Sequence, residues 1–262
     1  MRTQPIPVVL VIAGIDPTGG AGAQADIEAV AAQGGHAALA VSALTVQDTV
    51  NAHAVWPAGA PRVELQARAV LADMPVAAVK CGLLPDTDTV VTVAELLAEY
   101  PDLPLVVDPV LVAGGGAALA SPSVADALRR QLLPRATVAT PNRHELRALV
   151  PEHDSDEARA RALCAEGCRW LLLTGGDSET EQVHNTLYGA DGSRQTFDWP
   201  RLPERYHGSG CTLAGALAGQ LAAGAAVGHA VAEAQAYAWR TLEHAFRAGR
   251  GQWLPNRVGT AG

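Results

Sequence analysis

His207-Gly208-Ser209-Gly210-Cys211-Thr212, at the head of an apolar run over 213–223, brings together residue types that can do chemistry jointly. Glycine and serine let consecutive main-chain N–H groups turn toward one point, and the helix predicted over 211–223 adds its positive dipole end. Gly208, Ser209 and Gly210 thus form a candidate anion hole for a phosphate or a developing oxyanion. Cys211 falls in the first helical turn, where the local field favours thiolate; a lowered thiol pKa and a role as proton acceptor are expected there. An anion hole beside an acid–base group suits phosphoryl transfer to a small-molecule alcohol. A redox or covalent cysteine is the rival reading.

Further candidates fall at the ends of predicted strands. Gly14-Ile15-Asp16-Pro17-Thr18-Gly19-Gly20-Ala21-Gly22 can turn tightly against a ligand, but its spacing does not fit a GxGxxG dinucleotide fingerprint. A structural strand-to-helix turn explains it as well. Asp26 lies one helical turn beyond, facing solvent or the same cleft. Gln47 can donate and accept at once, which matches the edge of an aminopyrimidine, although a loop-capping amide is the plainer alternative. Asp108-Pro109-Val110 ends one strand, and Thr140-Pro141-Asn142 ends the next, with Glu145 three residues on. Asp108, Asn142 and Glu145 could hold magnesium, mostly through water, against nucleotide phosphates. Asn142 and Glu145 equally fit a helix N-cap and its N3 partner, and the two roles are compatible.

The elements that must position these groups alternate regularly. The apolar run over 8–13 reads as a buried parallel strand, and further strands are predicted over 37–44, 76–80, 105–108, 136–139 and 170–173. Helices are predicted over 22–32, with Ile27, Val30 and Ala31 inward, and over 61–74, 88–99, 123–131, 155–166, 211–223 and 229–246. Segments 187–188 and 195–199, separated by Asp191-Gly192, read as a late β-hairpin. This is an α/β chain with a doubly wound, mainly parallel sheet, and no repeat or linker divides residues 1–262, so one domain is expected.

Hydrophobic residues make up 48% of the 262 and aromatics only 4%, so the core must be built from Ala, Val and Leu. A net charge of -8 argues against nucleic acid or an anionic membrane as partner. No apolar run approaches the roughly 18 residues of a membrane span, and Pro5 and Pro7 interrupt the N-terminus before any signal-like core. A cytoplasmic location follows as an expectation. Lys80 is the single lysine among 19 basic residues, so a GxxxxGK[ST] phosphate loop has no lysine available. A partly buried strand-end lysine is the plainer reading of Lys80, and a catalytic one the alternative. Cys164 and Cys168, four apart on a predicted helix, read as buried thiols rather than a metal site, and Cys81 as a small apolar residue following a strand.

Ala13-Gly-Ile-Asp-Pro-Thr-Gly-Gly-Ala-Gly-Ala-Gln-Ala-Asp26, Ala43-Leu-Thr-Val-Gln47, Asp108-Pro-Val110, Thr140-Pro-Asn-Arg-His-Glu145 and His207-Gly-Ser-Gly-Cys-Thr212 together closely resemble the hydroxymethylpyrimidine/phosphomethylpyrimidine kinases of thiamine biosynthesis, within the ribokinase-like superfamily. The resemblance runs from about residue 8 to 245. It implies a three-layer α/β/α fold and ATP- and magnesium-dependent phosphorylation of 4-amino-5-hydroxymethyl-2-methylpyrimidine, then of its monophosphate, in a homodimer. Carried over by motif, Gln47 would bond the pyrimidine, the Gly14 loop and Val110 would flank it, and Asp26 would lie on the substrate side. Asp108, Asn142, Glu145 and Thr174 would serve the magnesium–triphosphate, Gly208–Gly210 the anion hole, and Cys211 the base. Two departures stand out: Thr174 and Gly114 occupy positions where the family usually has lysines suited to phosphate. Arg143 or Arg205 is a candidate to supply the missing charge. A pyridoxal kinase of the same superfamily and a silent pyrimidine sensor are the alternatives.

Overall fold

The computed structural model describes residues 6–117 and 119–259; Pro5 lies outside them. Strand β1 (Val8–Ile15) is flanked by β2 (His36–Gln47) and β4 (Val76–Cys81), both parallel to it. The parallel series continues through β5 (Leu105–Val107), β6 (Val138–Ala139) and β7 (Trp170–Leu173). Antiparallel strands close both edges: β3 (Ala52–Pro57) beside β2, and the hairpin of β8 (Gln182–Gly189) and β9 (Arg194–Pro200) beyond β7. The full order is β3-β2-β1-β4-β5-β6-β7-β8-β9. From β1 the chain runs outward to β2 and β3, then returns across to β4 and proceeds the other way. The order therefore reverses between β1 and β4, where a crevice opens beyond the strands' carboxyl ends.

Helices cover both faces. One face carries α1 (Gly22–Ala32), α7 (Ser209–Ala222) and α8 (Val227–Glu243); the other carries α2 (Ala60–Asp73), α3 (Thr87–Ala98), α4 (Pro122–Ala127), α5 (Arg143–Leu149) and α6 (Asp156–Ala165). The three-layer expectation holds. Along β1, Val9, Val11 and Ala13 pack toward α1 and α7 while Leu10 and Ile12 pack the other way, which is why the strand reads as a continuous apolar run. In β4, Ala78 faces α7 and Val79 and Cys81 face away, so Lys80 points into the α1–α7 layer.

Helices α1 and α7 approach closely because α7 presents glycine. A Cβ on Gly215 would sit 3.1 Å from both the Ala29 Cβ and the Asp26 Cα. Small residues are needed opposite, so α1 buries Ala25, Asp26, Ala29 and Val30, whereas Ile27 and Ala31, expected inward, are exposed. Other expectations also shift. Helix α4 is short and runs into a π-helical turn over Leu128–Leu132 and a 3₁₀ turn over Leu133–Arg135, which trims the strand expected over 136–139 to two residues. Helix α6 ends at Ala165, so Cys168 lies beyond it, buried near the Trp170 carbonyl rather than on the helix. Cys81 is the last residue of β4, not a follower. Strand β2 extends to Gln47, placing that amide on a strand end instead of in a loop.

Candidate active site

The carboxyl ends of β1, β4, β5, β6 and β7 and the start of α7 surround a cleft of about 190 Å³. Gly14, Gln47 and Val110 line one part of it, with Asp108, Asn142, Glu145 and Thr174 along the strand ends. Gly208, Ser209, Gly210 and Cys211 close the α7 side. Three expected residues do not line it. Asp26 has no exposed surface and lies behind Lys80, a residue of the cleft lining with which it pairs, because α1 is pressed inward against Gly215. Arg205 is exposed and lines a neighbouring depression that shares Gly114 with the cleft. Arg143 is likewise drawn off, toward Asp156 at 3.4 Å.

The α7 start is built on a left-handed glycine cap. Gly208 is the N-cap in the left-handed region at φ 79°, and a Cβ there would collide with the Gly20 carbonyl. The Thr212 N–H donates to the Gly208 carbonyl at 2.9 Å, the first intrahelical bond. The N–H groups of Ser209, Gly210 and Cys211 precede it and have no acceptor within the helix. A Cβ on Gly210 would lie 4.0 Å from Asp108 Oδ1, so Asp108 stands directly against this turn.

Cys211 is not the low-pKa thiolate that its helix position predicts. Burial pushes the thiol up to about 12; Lys80 and the Gly22 N–H oppose this, while Asp108 and Asp26 reinforce it. Loss of hydration around the buried sulfur, reinforced by the two carboxylates, outweighs the helix field. Burial also raises Asp108 above the usual carboxylate range, against the pull of Lys80 and, less strongly, of the neighbouring Cys211 thiol and Thr140 hydroxyl. Lys80 is wholly buried rather than partly so. Its Nζ lies 2.8 Å from Asp26 Oδ2 and 3.9 Å from Asp108 Oδ2, and Gly82 leaves room beside it. Burial works against the ammonium charge, but Asp26, Cys211 and Asp108 hold its pKa above the ordinary value.

Asn142 and Glu145 form a full capping box at the head of α5. The Glu145 N–H donates to Asn142 Oδ1, and the Asn142 N–H to Glu145 Oε2, each at 2.9 Å. The capping reading is therefore realised, and both residues still face the cleft. Burial, and secondarily Asp108, pushes Glu145 up to about 8. Among the described residues, no three of His, Cys, Asp and Glu gather into a metal-holding group. Asp108 Oδ2 is buried without a hydrogen-bond partner, leaving acceptor capacity toward the cleft. That donor set fits magnesium held through water and substrate phosphate rather than in a protein cage.

Sequence reasoning misses the tie between the two glycine loops. His207 Nε2 lies 2.7 Å from Asp16 Oδ2, while the Thr18 and Ala21 N–H groups, both at 2.8 Å, donate to the same carboxylate. Burial opposes the charge of Asp16, but these bonds, led by His207, hold it below the usual carboxylate range. The only available signal was an aspartate within a glycine-rich turn, next to no visible partner.

The sequence model of the family described as phosphomethylpyrimidine kinase matches residues 16–256. A hydroxymethylpyrimidine/phosphomethylpyrimidine kinase of Streptomyces coelicolor is 41% identical, over 94% of this chain and 92% of its own length. Pyridoxal kinase of Bacillus subtilis, solved as an ADP complex, superposes with a TM-score of 0.89 at 28% identity, covering 97% of this chain and 98% of that one. Phosphomethylpyrimidine kinase of Clostridium difficile superposes at 0.76 with 29% identity, over 89% and 97%. By its sequence, its sheet order and the residues gathered in its cleft, the chain belongs to the phosphomethylpyrimidine kinase family.

Proposed function

We propose that the protein transfers the terminal phosphoryl group of ATP to the hydroxymethyl oxygen of 4-amino-5-hydroxymethyl-2-methylpyrimidine, in the supply of the pyrimidine half of thiamine. The observation that carries this reading is the placement of Cys211 and Asp108 together at the head of α7, lining the same cleft as Gln47 and Gly14. Gln47 offers a donor and an acceptor to the ring edge, and the unpaired N–H groups of the α7 start receive the transferring phosphoryl. Magnesium, when bound beside Asp108, Asn142 and Glu145, supplies charge neutralisation on the triphosphate.

Proton transfer follows from the raised pKa values. A thiol near 12 cannot wait as thiolate at neutral pH. The alcohol becomes strongly acidic only as its oxygen bonds to phosphorus, late in a loose transition state. At that moment Cys211 takes the alcohol proton while its own S–H proton passes to Asp108. The cysteine thus acts as a relay, and the buried Lys80 and Asp26 set the local charge.

The second phosphorylation is less well equipped, since neither Gly114 nor Thr174 supplies a cation. Arg205, which lines the same depression as Gly114, is the residue we assign to the acceptor's existing phosphate. The test is incubation with ATP, magnesium and the hydroxymethylpyrimidine, counting phosphates on the product by mass spectrometry. One phosphate establishes the activity; a second phosphate lost in Arg205→Ala supports the arginine's role, and one retained removes it. The overlay with pyridoxal kinase keeps pyridoxal as the second reading, so it runs in parallel as acceptor.

We read the protein as a homodimer, paired through the outer β2–β3 ribbon. Leu44 and Trp56 are cross-strand neighbours there, 50% and 59% exposed, with Val46 beside them. Among the described residues no helix is long and apolar enough to cross a membrane. All four cysteines are unpaired thiols, which accords with a cytoplasmic setting.

A further inference from the structure

The segment following α8 returns across the head of α7 and inserts a buried arginine between the two glycine loops. Arg257 is only 4% exposed. Its Nε donates to Thr212 Oγ1 at 2.8 Å, its Nη1 to the Gly19 carbonyl at 3.3 Å, and its Nη2 to the Gly20 carbonyl. Nη1 also meets Glu28 of α1 at 3.2 Å. Thr212 passes the restraint on, because its hydroxyl donates to the Gly208 carbonyl at 2.8 Å. The Gly20 carbonyl held by Arg257 is the atom that a Cβ on Gly208 would strike. One planar group therefore fixes the Gly19–Gly20 turn, the first turn of α7 and the flank of α1 relative to one another, yet Arg257 does not line the cleft. Glu28 is a partial neutraliser, so the charge itself does not explain why the fork spans three elements.

We infer that Arg257 is a positioning residue for phosphoryl transfer: through Thr212, Gly19 and Gly20 it sets the anion hole of α7 against the loop that covers the acceptor. The inference rests on the kinase reading above. Guanidinium offers donors in a rigid fork that an ammonium cannot reproduce. Displacing reacting groups by about 1 Å can cost about 10²-fold in rate.

The test compares Arg257→Ala and Arg257→Lys with the wild type in steady-state kinetics and in amide hydrogen exchange of the ligand-free protein. In Arg257→Ala, kcat should fall by about 10²-fold, with KM for the pyrimidine little changed. Exchange should quicken at residues 19–21 and 208–212. Millimolar guanidinium chloride should restore much of the lost turnover to the alanine variant, and lysine should not. A folded Arg257→Ala with wild-type kcat, or with unaltered exchange in both loops, would overturn the inference. Should that variant not fold, Thr212→Val removes the Nε acceptor together with the hydroxyl's bond to the Gly208 carbonyl, the two links by which Arg257 reaches α7; it should lower kcat about tenfold, and an unchanged kcat is equally fatal. A wild-type protein that phosphorylates no acceptor sinks the kinase reading, while the exchange measurement still decides whether Arg257 locks the loops.

Discussion

Lys80 Nζ and Asp26 Oδ2 meet at 2.8 Å with no exposed surface on either side chain, at the point where β4, α1 and α7 converge. Burial pushes Asp26 up to about 6 in spite of Lys80, which leaves the pair ionised at neutral pH. Removing one partner strands a charge in the interior. Lys80→Met should therefore destabilise the fold by about 3–5 kcal/mol, measured by denaturant unfolding. The double variant Asp26→Asn/Lys80→Met should recover most of that loss. Equal destabilisation in both would show that packing, not charge, is what Lys80 contributes.

Cys211→Ala should retain nucleotide binding by calorimetry while turnover falls about 10²–10⁴-fold. Because the relay ends on Asp108, Asp108→Asn should show a loss of similar size. Near-normal turnover in the cysteine variant would remove Cys211 from the mechanism, and near-normal turnover in the asparagine variant would break the relay.

Glu145 makes stability depend on pH in a direction opposite to a salt-bridged carboxylate. Its folded value, about 8, lies above the ordinary 4.5, so between these values the folded state holds a proton that the unfolded chain has released. Stability from this group is present at low pH and declines as pH rises toward about 8. Asp26, displaced upward to about 6, acts with the same sign at lower pH. Glu145→Gln keeps an N3 residue able to complete the capping box. The difference in unfolding free energy between pH 6 and pH 8 should thus be smaller in the variant than in the wild type, and an identical slope would contradict the assignment.

Gly208→Ala should cost about 1–3 kcal/mol in unfolding free energy, because φ 79° and the Gly20 carbonyl both oppose a side chain. It should also weaken nucleotide binding, since the shifted cap moves the amides that follow. Unaltered stability and affinity would mean that the two loops separate without consequence.

Trp56→Asp should convert a dimer into a monomer in sedimentation experiments, with catalytic constants changed far less than the association. A wild-type protein that sediments as a monomer would rule out the ribbon as an interface.

The limits of α1 and of β7 are legible to the residue, as is the alternation of strand and helix that builds a mainly parallel sheet. These depend on local periodicity and on short motifs. Strand β3 is not legible, because an edge strand carrying His53, Trp56 and Pro57 lacks the run of buried residues that marks an inner strand. Helix α5 is too short for periodicity and shows itself only through its cap. The functions of Asp16, Lys80 and Arg257 escape local reading for another reason: each has a side-chain partner far away in the chain, His207, Asp26 and Thr212 respectively. The thiol of Cys211 shows the same limit in reverse, since its helix position is visible in the sequence and the burial that overrides it, reinforced by two carboxylates, is not.

Lys80 is the sole lysine of the chain and has no exposed surface. Reagents aimed at side-chain amines consequently find no target on the native molecule, and any label arriving at that position reports that the layer between sheet and helices has opened. The protein carries its own single-site gauge of global unfolding, readable by mass without introducing a probe.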